Sequence, residues 1–190
     1  YASLIQRQAA NVVLLQEAAD DWMLTTSMPT DYRRAETIKN ALGKCWERRW
    51  QMLIDTCGEM SVISSERFDL ADGPKATRTG EWMRLNTSIG EITMINIHWD
   101  HQSQSIQKRN AKQTVNAVLS RSTDAIVLAG DFNLPCETAQ HLLTQETELS
   151  LLVNGGIDCL FIFGVNGKGR VIPAKPSDHP AVVADIFTIR

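Results

Sequence analysis

Ala125-Ile126-Val127-Leu128-Ala129-Gly130-Asp131-Phe132-Asn133 is the stretch from which the rest of the chain is best read. Ala125 to Ala129 are apolar and include β-branched residues, which predicts a short strand covered on both faces. Gly130 interrupts that run, and Asp131 and Asn133 follow at once. Taken alone, Asp and Asn here are ordinary turn residues. Placed at the end of a buried strand, they also stand where a rigid element meets solvent, a favourable place to hold a ligand.

The same arrangement recurs on either side. Upstream, Gly90 opens Glu91-Ile92-Thr93-Met94-Ile95-Asn96-Ile97-His98, a strand that ends on a histidine and is followed by Asp100 and His101. Residues 103–121 carry Ile106, Ala111, Val115, Val118 and Leu119 at helical spacing. Downstream, Pro135 and Glu137 to Leu143 predict a turn and a short helix. Ile157 to Val165 reads as a strand with Asp158 near its start, and Gly164 to Arg170 as a hairpin turn. Asp178-His179 precede a last strand, Ala181 to Ile189, expected to close the sheet. Toward the N-terminus, residues 1–10 end a helix, and Asn11 to Leu15 is a strand leading into Gln16-Glu17. Residues 33–56 read as helical, while Met60 to Ser65 and Trp82 to Leu85 are strands. Strands joined sometimes by helices and sometimes by turns indicate an α/β layered fold with a mixed sheet.

With 190 residues, 43% of them hydrophobic, the chain suits one globular domain spanning 1–190. A formal net charge of −3 argues against a basic protein that coats DNA. No apolar run approaches the roughly 18 residues of a transmembrane helix. The four cysteines form no CxxC pair, which argues against structural zinc. A Cys45–Cys57 disulfide is conceivable, but reduced thiols are the expectation. The compartment stays open between cytoplasmic and secreted, as does the oligomeric state.

Three of the four histidines, together with Glu17, Asp100, Asp131, Asn133, Asp158 and Asp178, lie at strand ends. Carboxylate and amide oxygens from Glu17, Asp131, Asn133 and Asp178 suit a hard divalent cation: Mg²⁺, Mn²⁺ or Ca²⁺. Imidazoles suit proton transfer or donation to a phosphoryl oxygen. Phosphoester hydrolysis needs both sets: an oriented water, offset negative charge and a stabilised leaving oxygen. Asp158 with His179 is the candidate pair in which a carboxylate orients a histidine. Trp46 and Trp50 are read as core packing, Arg33-Arg34 and Arg48-Arg49 as solvated faces, and His101 and His141 as surface residues.

Val13-Leu14-Leu15-Gln16-Glu17, Asn96-Ile97-His98-Trp99-Asp100-His101, Gly130-Asp131-Phe132-Asn133, Ile157-Asp158 and Ser177-Asp178-His179-Pro180 together resemble the successive motifs of the endonuclease/exonuclease/phosphatase superfamily, in the family's order. The resemblance implies a four-layer α/β sandwich of two mixed sheets packed face to face with helices outside. It implies a metal-dependent phosphoesterase, with DNA or RNA as the leading substrate and a small phosphoester or lipid, or a non-catalytic relative, as alternatives. It also implies roles. Glu17 holds the metal, with Asp178 beside it. His98 binds the scissile phosphate. Asp131 activates or orients water or assists the leaving group, and Asn133 binds phosphate or metal. Asp158 orients His179, the general acid or base. The family's usual opening strand, with its Asn, is expected to be missing before Asn11, and the segment from Asn133 to Asp158 is short for the family.

Overall fold

The computed structural model describes residues 1–16, 34–70, 78–121, 125–175 and 177–189. They fall into two compact units, Tyr1–Ser61 and Val62–Arg190.

The first unit contains α1 (Ala2–Arg7), β1 (Val12–Leu14), α2 (Arg34–Leu42), β2 (Trp46–Arg49) and β3 (Met52–Asp55). Its three strands form an antiparallel sheet in the order β1-β3-β2. Ile5, Ala35, Ile38, Trp46 and Leu53 form its core. The helix expected over 33–56 stops at Leu42, because Gly43 takes a φ of 107°, which ends the helical turn. The remainder is a β-hairpin. Trp46 is in the core as expected. Trp50 lies in the turn between β2 and β3, with a φ of 48°. Cys45 and Cys57 close this hairpin as a disulfide, with Cα atoms 5.0 Å apart.

The second unit contains β4 (Ser61–Leu70), β5 (Arg78–Thr87), β6 (Gly90–His98), α3 (Gln104–Ser120), β7 (Ile126–Asp131), α4 (Cys136–Leu143), β8 (Ser150–Asn154), β9 (Asp158–Phe163), β10 (Val165–Ile172) and β11 (Ala181–Ile189). Six strands form one sheet in the order β4-β5-β6-β7-β9-β8. β6 and β7 run parallel, so α3 is the crossover between them. β7 and β9 run antiparallel. The core includes Ile95, Ile97, Val115, Leu128, Phe132 and Phe161. Phe132 sits edge-on between Trp99 and Phe161, with ring centroids 4.8 and 5.2 Å away. Phe132 of the Gly-Asp-Phe-Asn motif is therefore the anchor that ties the motif to the core. Two larger sheets with helices give the mixed α/β class that the sequence indicates.

Two elements differ from expectation. The strand read as Ile157 to Val165 ends at Phe163. Gly164, with a φ of 67°, turns the chain into β10, so the expected hairpin turn is itself a strand. A Cβ on Gly169 would lie 2.0 Å from Val153 Cγ2, so that glycine answers to close packing on β8. In addition, β11 pairs with β10 as a separate two-stranded sheet and does not close the larger one. The expectation of reduced thiols also fails. Besides Cys45–Cys57, Cys136 and Cys159 are bonded across 23 residues of sequence, joining the start of α4 to β9.

Gly130→Ala should be among the most damaging single changes in the chain. An added Cβ would meet the Ile97 carbonyl oxygen at 1.9 Å, and the backbone φ is already 151°. We expect a loss on the order of 3 kcal/mol in urea unfolding; an unchanged midpoint contradicts this account. Replacing Cys136 and Cys159 together by Ser should cost about 3 kcal/mol, from the chain entropy released by opening a loop of this length. The same titration measures it.

Candidate active site

The register of the larger sheet builds the site. His98 ends β6 opposite Asp131 at the end of β7, and Asp131 lies opposite Asp158 at the start of β9. Three candidate side chains from separate motifs thus occupy one row across three strands, all three largely buried. The segment between β10 and β11 brings His179 to this row. Its Nδ1 lies 2.9 Å from Asp158 Oδ2, and its backbone N–H donates to Ser177 Oγ at 3.1 Å.

Asp131 uses its two oxygens differently. Oδ1 accepts from the Asn133 backbone N–H at 2.8 Å, while Oδ2 lies 3.5 Å from His98 Nε2. Asn133 has a left-handed φ of 49°, a conformation Asn adopts more readily than most residues. Its Nδ2 donates to the Trp99 carbonyl at 2.8 Å, tying the segment after β7 to the segment after β6. Asp178 is exposed beside His179. Asp100 is buried, and its Oδ1 accepts from the backbone N–H of Gln102 at 2.7 Å and of Ser103 at 3.3 Å, so it secures the start of α3. His101 is exposed, as the sequence indicates. Glu17 lies outside the described residues.

Arg78, at the start of β5, has no counterpart in the sequence reading. Its Nη1 lies 2.6 Å from each ring nitrogen of His98, and its Nη2 lies 3.4 Å from His101 Nδ1. A single arginine in a polar stretch gives no sequence signal. Only the pairing of β5 with β6 brings it to His98.

Electrostatics separates the two histidines. Burial, followed by the nearby Arg78 guanidinium, His101 and His179, lowers His98 to a pKa of about 3, so it is a neutral imidazole at physiological pH. Burial also opposes charge on His179. There, however, the charge and hydrogen bond of Asp158, with Asp131 and Asp178, outweigh it and hold His179 above the ordinary histidine range. Burial raises Asp131, helped by the charge of Asp158 and opposed by the Asn133 N–H. Burial likewise raises Asp158, against the pull of His179.

Among the described residues, Asp131, Asp158 and His179 offer ligand atoms that all lie within 4.8 Å of one another. Asp131, pushed toward its neutral form by burial and crowded by Asp158, fits a divalent cation, whose charge would offset the cost of ionising it. His179 Nδ1 is committed to Asp158, so oxygen donors are the natural ligands.

No protein-family model matches the chain, and no curated protein matches it. Solved structures do. A mannosyl-6-phosphatase of Bacteroides thetaiotaomicron superposes with a TM-score of 0.75 at 16% identity, covering 98% of this chain and 88% of that one. An endonuclease/exonuclease/phosphatase of Bacteroides vulgatus gives the same figures. TDP2 of D. rerio, humanised by 14 mutations, gives 0.68 at 13% identity, with 98% and 89% covered. The chain has the endonuclease/exonuclease/phosphatase fold.

In this endonuclease/exonuclease/phosphatase fold, a neutral His98 leaves a thermodynamic trace. The unfolded chain takes up a proton at this side chain below pH 6.5, whereas the folded chain does so only near pH 3. Stability contributed by His98 is therefore lost as pH falls from 6.5 toward 3, by up to about 1.4 kcal/mol per pH unit. The raised carboxylates work in the opposite direction, so the test is a difference. Urea unfolding across this range in EDTA should show wild type losing stability faster than His98→Asn. Parallel curves contradict a buried neutral His98.

Proposed function

We propose that this chain is a divalent-metal-dependent phosphoesterase, with the phosphodiester of nucleic acid as its leading substrate and Mg²⁺ or Mn²⁺ as its cation. The observation that carries the reading is the convergence of Asp131, Asp158 and His179 within 4.8 Å, with His98 3.5 Å from Asp131. The whole of 1–190 is read as one catalytic domain, supported by structural neighbours that cover 98% of it.

Each residue has a part in this chemistry. Glu17, Asp131, Asn133 and Asp178 are the proposed ligand set. A bound divalent cation supplies positive charge against the phosphoryl and leaving oxygens. Asp131 orients the attacking water and takes its proton. Arg78 and the neutral His98 donate N–H groups to the phosphoryl oxygens. Asp158 fixes His179 through Nδ1, leaving Nε2 to hand its proton to the departing oxygen as the P–O bond breaks. The neighbouring carboxylates that raise His179 favour its protonated form.

Arg78 lies against a neutral His98 and brings one positive charge to a phosphoryl oxygen, in a diester or a monoester. The alternative is a phosphomonoesterase acting on a small phosphorylated molecule, a reading supported by the fold shared with the mannosyl-6-phosphatase. The disulfides Cys45–Cys57 and Cys136–Cys159 support work in an oxidising compartment.

The test is hydrolysis of plasmid DNA, RNA, a sugar phosphate and sphingomyelin with Mg²⁺ or Mn²⁺. We expect nucleic acid to be cut, EDTA to stop the reaction, and His179→Ala to lower turnover about 10²- to 10⁴-fold with an unchanged circular dichroism spectrum. A folded wild type that hydrolyses none of the four overturns the reading. Cleavage of the sugar phosphate alone selects the monoesterase.

A further inference from the structure

Helix α3 carries three polar residues on the stripe it turns toward the core: Gln107, Asn110 and Thr114, at i, i+3 and i+7, only 6%, 0% and 0% exposed. Apolar side chains would be the cheaper occupants of such positions, because a buried polar group costs stability unless it is hydrogen-bonded. All three are bonded, and each bond goes to a segment that follows a strand of the active-site row. Thr114 Oγ1 accepts from the Trp99 indole N–H at 3.0 Å, and Asn110 Oδ1 accepts from the Asp100 backbone N–H at 2.8 Å. These two hold the segment after β6. Gln107 crosses to the other one: its Nε2 donates to the Asn133 backbone carbonyl at 3.0 Å.

Asn133 needs such a hold. Its φ is 49°, its N–H is taken by Asp131 Oδ1, and its Nδ2 is taken by the Trp99 carbonyl. With Nδ2 bonded to the Trp99 carbonyl, the place of the side-chain amide depends on where the Asn133 backbone is held. Gln107 holds that backbone at its carbonyl. We propose that Gln107 is a positioning residue: it acts through the Asn133 backbone to aim the Asn133 side chain at the cation and phosphate. The inference rests on the phosphoesterase reading above and adds to it a helix residue remote from the sequence motifs.

The experiment compares wild type, Gln107→Met and Val115→Ala. Met keeps the length and burial of Gln107 and removes the donor. Val115→Ala thins the core packing of the same helix and removes no side-chain hydrogen bond. Three quantities are measured: kcat and KM on the phosphoester that wild type cleaves best, Mn²⁺ affinity by calorimetry without substrate, and the thermal midpoint. Gln107→Met should lower kcat and weaken Mn²⁺ binding, each by about tenfold to a hundredfold, with KM little changed. Val115→Ala should shift the midpoint at least as far and leave kcat and Mn²⁺ affinity near wild type. If Gln107→Met does not fold, Gln107→Glu, which sets an acceptor against the carbonyl, carries the same expectation. A folded variant with wild-type kcat and Mn²⁺ affinity overturns the inference while the phosphoesterase reading stands. So does an equal kcat loss in Val115→Ala, which would mark general loosening. A wild type that binds Mn²⁺ but hydrolyses nothing overturns the phosphoesterase reading and leaves the Mn²⁺ comparison to decide the part of Gln107. A wild type that binds no Mn²⁺ overturns both.

Discussion

Hydrogen bonding between β6, β7 and β9 sets the register that places His98, Asp131 and Asp158 in one row. Adjacent strands lie about 4.8 Å apart, and a shift of one residue would turn each side chain to the opposite face. The site therefore depends on ladder bonds of the backbone more than on any contact between its own side chains. The parallel pairing of β6 with β7 requires a long crossover, and α3 supplies it. Gly130 allows β7 to approach β6 closely, and Phe132 fastens the chain to the core between Trp99 and Phe161. The residues from Asp131 to Asn133 are thus held from both sides.

Such a row is electrostatically costly. Burial raises Asp131 and Asp158 and drives His98 to its neutral form. The arrangement becomes favourable where something positive joins it. His179 does so partly, by pairing with Asp158, and a divalent cation would do so more fully. Two histidines in one site are thus shifted in opposite directions, His98 toward its neutral form and His179 toward its charged one. Their surroundings set the difference: His98 lies against a guanidinium, whereas His179 lies among carboxylates.

Much of this was legible in the sequence because it is local. Ala125 to Asp131 is a β-rich apolar run ending in polar residues, and it is β7. Residues 103–121 have helical periodicity, and α3 spans Gln104–Ser120. The failures are equally physical. The apolar spacing through Trp46 and Trp50 matches a helix, yet Gly43 breaks it and the segment pairs as a hairpin. Gly164 to Arg170 has the composition of a turn, but its Gly169 answers to the close approach of Val153. Arg78 and Gln107 carry no motif, so neither stands out along the chain. Each is functional in this account only because of what another strand or helix places beside it.

The sequence by itself determined the mixed α/β class, most strand and helix positions, and the identity of the chemical groups at strand ends, because periodicity and turn chemistry act over a few residues. The tertiary structure alone decided which of those groups meet, which cysteines bond, and which histidine is neutral. Those outcomes depend on distance, burial and charge between residues far apart in the chain. His98 and His179 show the division plainly: the same side chain occurs twice in the sequence, and only the neighbours brought by the fold separate a pKa of about 3 from one raised above the ordinary value.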